Sequence, residues 1–144
     1  IKKLLLKNSN YKYLFTLPCT SPIRSIKTLK KAINVMNKKK PDLVVSITKS
    51  NKSPDFNMLK RNSKTGYLNI YNKRSTNIFR RQDADPIFIL NTNFYIADIN
   101  FILRTKKILD GNVLGVETPK FESIDIDDID DFKLNEIIYK SVYE

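Results

Sequence analysis

The chain has 144 residues, with 26 Lys and Arg against 15 Asp and Glu for a net charge of +11, no His, no Trp, one Cys and three Gly. At 41% hydrophobic and 28% charged residues it is neither disordered nor fibrous, and its length suits one domain with its own core, or one domain plus a small appendage. A lone Cys excludes a disulfide framework and cysteine-cluster metal sites, the lack of His removes His-based zinc sites and Ser-His or Cys-His catalysis, and no apolar run approaches the roughly 20 residues of a membrane span.

Ile1 to Lys7 (IKKLLLK) reads as the last turns of a helix whose beginning is absent, so the chain is expected to be truncated at its N-terminus. Tyr11–Leu17 (YKYLFTL) is an apolar run bounded by Asn10 and Pro18 and predicts a buried strand, followed by a loop from Pro18 to Pro22. Ile26, Leu29, Ile33 and Met36 recur at helical spacing with Lys27, Lys30 and Lys31 between them. Asp42–Thr48 predicts a second buried strand, and strand–helix–strand over this distance predicts a βαβ unit with a parallel sheet. Residues 49–80 turn Ser-, Asn- and Lys-rich, with strand candidates at Phe56–Lys60 and Tyr67–Tyr71 and Gly66 as the turn residue between them. Ile87–Leu90 and Phe94–Ala97 read as strands, Ile99–Lys107 as a helix and Asn112–Thr118 as a strand ended by Pro119. Phe132, Leu134, Ile137 and Ile138 predict a final amphipathic helix with these residues turned inward. The expected division is an α/β domain from 1–48 and 87–144, with 49–86 as an insertion.

The charge is uneven. Residues 117–144 hold nine acidic and three basic groups, leaving 23 cations and six anions in residues 1–116. A basic body suits an anionic ligand, nucleic acid among others. Lys outnumbers Arg by 20 to 6, which is a poor set for reading base edges.

Four stretches bear groups able to do chemistry. In Ser123–Phe132 (SIDIDDIDDF), Asp125 and Asp127 are two apart, so an extended segment projects both carboxylates from one face. Such a pair suits a hard cation such as Mg²⁺, and suits equally a solvated acidic loop. Asp130 and Asp131 directly precede the last helix and fit capping. Thr20, Ser21 and Arg24 follow a strand of a parallel sheet, where α/β proteins place ligands; an ordinary loop with Ser21 or Ser25 as helix cap fits them too. Arg80-Arg81-Gln82-Asp83 offers a paired guanidinium for phosphate or carboxylate, or an exposed surface pair. Asn91 and Tyr95 flank a strand start, where Tyr fits a core role as well as a ligand contact. Cys19, with nothing nearby to activate it, is expected to be a small buried residue.

In order along the chain, PCTSPIR at 18–24, FRRQD at 79–83, NTNFYI at 91–96 and SIDIDDIDDF at 123–132 resemble motifs of the acylneuraminate cytidylyltransferases, the CMP-sialic acid synthetase family, which read QPTSPLR, an RRQD-type stretch, NGA-x-Y and SIDID-x-x-x-DF. The resemblance covers essentially the whole chain. It implies a Rossmann-like three-layer nucleotidyltransferase fold with a small β-rich dimerisation insertion at 49–86. It implies a cytoplasmic, Mg²⁺-dependent homodimer that joins CTP to a sialic acid or related nine-carbon sugar acid and releases pyrophosphate, with neither nucleic acid nor membrane as partner. By position, Asp125 and Asp127 would hold the metal, Thr20, Ser21 and Arg24 would face nucleotide and sugar, Asn91 and Tyr95 would contact the sugar, and Ile108 and Leu109 would wall its apolar side. Arg81, beside Gln82, would reach an anionic substrate group. The family's Gly- and Lys/Arg-rich phosphate loop has no counterpart among Gly66, Gly111 and Gly115, and is expected upstream of Ile1. Pro18 stands where Gln is frequent, and Asn91-Thr92-Asn93 replaces a small Gly-Ala pair, a change expected to reshape the sugar pocket. The alternatives are an inactive homologue and a basic nucleic-acid-binding domain.

Overall fold

Tyr13–Thr16 (β1), Leu43–Lys49 (β2), Phe88–Asp98 (β5) and Val113–Glu117 (β6) form one sheet in the order β1-β5-β2-β6 in the computed structural model, which describes residues 10–72 and 85–144. The helix read over 1–7 and the Arg81-Gln82 pair lie outside the described residues. The chain divides into two units, Ile1–Thr48 with Leu90–Glu144, and Lys49–Ile89.

In the first unit, β2 and β6 run parallel with Leu43 opposite Val113 and Ile47 opposite Glu117. β1 runs antiparallel to β5, Tyr13 opposite Asp98 and Thr16 opposite Tyr95. The Asp98 N–H at the end of β5 donates to the Asp42 carbonyl just before β2 at 3.0 Å, so β5 opposes β2 as well. The sheet is therefore mixed, and the expected all-parallel arrangement is corrected at β5. Ser50 N–H donates to the Ile87 carbonyl at 2.8 Å, which shows that the chain comes back to the end of β2 that it left. A strand resumed there runs in the reverse direction.

Helix α1, Ile26–Lys39, starts on Ser25, whose hydroxyl accepts from the Thr28 N–H at 3.1 Å. It ends at Lys40, in the left-handed conformation (φ 47°) with its N–H on the Met36 carbonyl at 3.1 Å, and Pro41 follows. Its Ala32 and Met36 pack on Val44, Phe94, Ile96 and Val116 from one sheet face. The opposite face, with Leu43, Val45 and Ala97, packs on Phe101 of the short helix α2, Ile99–Arg104. Alternation along the strands thus feeds two cores, one under each helix. Helix α2 stops before the expected Lys107 because Thr105 is extended (φ −79°, ψ 150°) and turns its hydroxyl to the Lys107 carbonyl at 2.7 Å.

After β6 a 3-10 turn, Lys120–Ser123, leads through an extended segment to helix α3, Ile129–Tyr143. Its cap is Asp128, one Oδ1 accepting from both the Asp130 and Asp131 N–H groups at 2.9 Å. The helix does not turn the expected face inward: Phe132, Leu134 and Ile137 are 52%, 46% and 66% exposed, and only Asn135 is buried. The residues least open to solvent, Asp131, Asn135 and Ile138, recur at four and three, so the packed stripe is offset from the apolar one.

In the second unit Leu59–Arg61 (β3) pairs antiparallel with Leu68–Ile70 (β4). Asn62 Oδ1 accepts from the Lys64 and Thr65 N–H groups at 2.9 and 3.0 Å, and Gly66 takes φ 76°, a conformation that costs glycine no Cβ clash. β3 starts later than expected because Phe56, Asn57 and Met58 all point their N–H groups at the Ser53 carbonyl in a turn. No helix among the described residues is long and apolar enough to cross a membrane.

Candidate functional site

At the carboxyl ends of β1, β2 and β6, three segments far apart in sequence meet: the Pro18–Arg24 loop, the start of β5 and the Ile124–Asp127 segment. Two glycine-free, proline-flanked hydroxyls begin the site. Pro18 and Pro22 keep the loop from extending β1, and a turn with Ser21 N–H on the Pro18 carbonyl carries Ser21 inward to 1% exposure. The Ile126 N–H donates to the Thr20 carbonyl at 2.8 Å, laying the 124–127 segment beside that loop.

Ser21 Oγ lies 2.5 Å from Thr92 Oγ1 and donates to Asp125 Oδ1 at 3.3 Å, across a sequence separation of 104. The Asp125 carboxyl is held below its ordinary range, first by a hydrogen bond from the Thr20 hydroxyl and then by those from Thr92, Ser21 and the Ile126 N–H; partial burial opposes them. Hydroxyls that donate to a carboxylate favour its charged form, so Asp125 is an oriented anion. Asp127 is exposed, and its N–H donates to Asp131 Oδ2 at 3.2 Å.

The start of β5 is shaped to meet this network. Asn91 Oδ1 accepts from the Asn93 N–H at 3.2 Å, a local turn inside a strand. The buried Ser46 hydroxyl accepts from the Phe94 N–H at 3.0 Å and lies 3.1 Å from the Asn91 carbonyl, so a side chain from β2 stands in for a backbone partner. The ladder is thereby interrupted at 91–94, where Thr92 projects toward Ser21. Strand irregularities of this kind commonly re-aim side chains beside sites.

The other expected site residues are distributed as follows. Arg24 donates from Nε to the Asn93 carbonyl at 2.8 Å and from Nη2 to the Pro18 carbonyl, tying the loop to β5; burial lowers its pKa, which the Cys19 thiol opposes. Asn91 is buried, its amide donating to the Thr48 and Thr118 hydroxyls at 2.8 and 3.0 Å, so it braces the ends of β2 and β6. Asn93 is fully buried and donates to the Ile23 and Glu122 carbonyls at 2.9 and 2.7 Å. Tyr95 packs against the core cluster under α2. Ile108 and Leu109 sit, 43% and 53% exposed, in the loop between α2 and β6, at the opposite end of the strands from Asp125; the structure does not bring them to the network. Cys19 is exposed, which corrects the buried role expected of it.

The structure adds Thr92, which sequence reasoning passed over as part of a substitution rather than as a donor. Its signal was available: a third hydroxyl residue, aligned with none of the core positions, next to Asn91. The donor set of Asp125, Asp127 and surrounding hydroxyls fits a hard cation that keeps most of its shell as water and phosphate oxygen. It does not fit a closed protein cage, since no group of three or more His, Cys, Asp or Glu converges among the described residues. A groove of about 660 Å³ runs along α1, lined by Lys27, Lys30, Lys31, Lys38 and Lys39, and includes none of these residues.

No protein-family model matches the chain. The chain is 29% identical over 143 residues to the N-acylneuraminate cytidylyltransferase of Streptococcus agalactiae serotype V (strain ATCC BAA-611 / 2603 V/R), an alignment covering 88% of this chain and 34% of that protein. The chain thus spans about a third of the length of the curated relative it matches.

Proposed function

We propose that this chain carries part of the nucleotidyltransferase site of a cytidylyltransferase that joins CTP to a sialic acid or a related nonulosonic acid. The observation that carries this reading is the meeting of Ser21 and Asp125: the TSP-x-R-like loop and the SIDID-like segment, apart in sequence, share one network at the carboxyl ends of the parallel strands. That is where open α/β sheets bind ligands. The likeness to an N-acylneuraminate cytidylyltransferase supports the same reading.

In this reaction the anomeric hydroxyl of the sugar acid attacks the α-phosphorus of CTP in line, a new C–O–P bond forms, the bond to the pyrophosphate oxygen breaks, and the hydroxyl proton passes to solvent or a nearby base. No covalent enzyme intermediate is required, in keeping with a chain without His. Transfer of this kind depends on positioning and on neutralising phosphate charge. A bound Mg²⁺, held by Asp125 and Asp127, would supply that neutralisation. Thr20, Ser21 and Thr92 keep Asp125 ionised and in one orientation before substrate arrives. Arg24 acts as a strut for the loop, its Nε and Nη2 donors being spent on Asn93 and Pro18 carbonyls. Asn91 likewise shapes β5. Arg81 and Gln82 remain proposed contacts to an anionic substrate group, the fold that of a Rossmann-like nucleotidyltransferase, and the working form a homodimer.

The test is pyrophosphate release by the full chain from CTP with a panel of nonulosonic acids and Mg²⁺. Release is expected to need both substrates and to fall at least a hundredfold in the Asp125→Ala, Asp127→Ala double variant, as loss of a metal's ligands predicts. Unchanged release in the double variant would sink the assignment of these carboxylates.

A further inference from the structure

Ser21 is buried to 1% exposure and has a single hydroxyl proton, yet it touches two oxygens: Thr92 Oγ1 at 2.5 Å and Asp125 Oδ1 at 3.3 Å. A hydroxyl donates once and accepts twice, whereas an ionised carboxylate only accepts. The carboxylate is the one pure acceptor of the trio, and both the Ser21 and Thr92 hydroxyls reach it. Either hydroxyl can donate across the short Ser21–Thr92 contact, so the pair shares its two protons between that contact and the carboxylate. Without the Thr92 hydroxyl, the carboxylate loses one of its donors and the buried Ser21 oxygen loses its short contact. Linked hydrogen bonds also polarise one another, so each hydroxyl supports the other's hold on the carboxylate.

Thr92 owes its place to backbone. The Asn91 side chain accepting from the Asn93 N–H and the Ser46 hydroxyl accepting from the Phe94 N–H interrupt the ladder on both sides of it. Loop, strand and Asp segment are separately anchored, by Arg24 to Asn93 and by Ile126 to Thr20, so the hydroxyl contact joins three pre-positioned pieces and does not have to assemble them.

We infer that Thr92 is a positioning residue for Asp125: together with Ser21, its hydroxyl fixes the carboxylate's orientation and thereby raises the site's affinity for a divalent cation. The inference rests on the reading above that Asp125 holds such a cation. Residues one step outside a metal's ligands typically change its affinity by roughly 10- to 100-fold when removed.

The experiment is a titration of the full chain with Mn²⁺ alone, followed by the electron paramagnetic resonance signal of free Mn²⁺, on wild type, Thr92→Val, Thr92→Ser and Asp125→Asn. Thermal unfolding of each variant, read alongside, reports whether the fold is kept. Thr92→Val, close in shape and lacking the hydroxyl, is expected to weaken binding roughly tenfold. Thr92→Ser, which keeps the hydroxyl, is expected to bind within about threefold of wild type, a rescue that packing alone does not give. Binding by Thr92→Val equal to wild type, with Asp125→Asn deficient, overturns the role of Thr92 while leaving the cation site standing. Wild-type binding no stronger than that of Asp125→Asn overturns the cation reading and this inference with it. If Thr92→Val does not fold, the comparison passes to Thr92→Ser against Ser21→Ala: the inference expects Ser21→Ala to lose affinity like Asp125→Asn, and wild-type affinity there overturns it.

Discussion

Ser46 shows how much of this molecule turns on single hydroxyls. It is fully buried, accepts from the Phe94 N–H at 3.0 Å and lies within 3.2 Å of the Phe94 and Asn91 carbonyls, so it holds open the irregular start of β5. Ser46→Ala leaves the Phe94 N–H buried without a partner, at about 1–3 kcal/mol. The urea midpoint is expected to fall accordingly, with an unchanged slope, and unaltered stability would show that water replaces the hydroxyl. The same lesson applies to Asn91 and Asn93. Read along the chain, they looked like sugar contacts and pocket-crowding substitutions. In three dimensions each has its side-chain N–H groups committed to the scaffold, Asn91 to Thr48 and Thr118, Asn93 to Ile23 and Glu122 carbonyls. Residue type and spacing mark a polar group as consequential; only packing tells whether it faces a ligand or a carbonyl. Asp125 was legible because an SIDID pattern sets one carboxylate between two isoleucines, Ile124 and Ile126, both half-buried. Its partners were not, because a hydrogen bond spanning 71 residues, as between Ser21 and Thr92, leaves no local trace.

Among the elements, those whose pattern is dictated by local chemistry were readable. Helix α1 has its Ser25 cap and its stop before Pro41, with Lys38 and Lys39 complementing the dipole in its last turn, but of its expected stripe only Leu29 and Met36 pack inward, beside Thr28 and Ala32, while Ile26 and Ile33 stay 71% and 40% exposed. β2 is a short, largely β-branched run whose first four residues are buried, and β6 is a five-residue strand with Val116 buried. The direction of β5 was not readable, since it depends on where residues 49–87 return the chain, which the Ser50–Ile87 bond reveals. Nor was the face of α3, where burial follows Asn135 and not the apolar stripe. The β2–β6 pair carries its own prediction. At Gly115 an added Cβ would lie 2.4 Å from Ile47 Cδ1 and 3.0 Å from Cγ1. Ile47 is β-branched and packs against the core cluster under α2, so it has few rotamers to escape into. Gly115→Ala is expected to cost about 1–3 kcal/mol, as overpacked sites do. Combining it with Ile47→Val, which removes Cδ1, is expected to recover part of that loss; equal loss in the single and double variants would show that the clash is not the cause.

For the molecule as a whole the deciding property is where its charge lies. Residues 1–116 hold 23 cations against six anions, and α1 places five lysines along one groove, so attraction to any polyanion is a physical expectation. A nucleic-acid surface of that kind and a nucleotide pocket differ in their response to salt. Neutralising several backbone phosphates releases condensed counterions, and affinity then falls by roughly a thousandfold or more between 50 and 200 mM salt. A single CTP has three phosphates and no condensed layer along a polymer, so its binding is governed by a few close contacts and by a divalent cation. The proposed function therefore predicts that CTP binding in the presence of Mg²⁺ changes less than about tenfold over that salt range. It also predicts that Lys30→Glu, Lys31→Glu on the α1 groove leaves CTP affinity within about threefold, because those lysines lie apart from the Ser21–Thr92–Asp125 network, while Asp125→Asn lowers it. Fluorescence anisotropy with labelled CTP and with a labelled 20-base duplex, each across the salt series, separates the two readings. Steeply salt-dependent duplex binding that the Lys30→Glu, Lys31→Glu variant abolishes, with no Mg²⁺-dependent CTP binding by wild type, would make the basic helix the working surface and leave the Asp125 network a structural joint.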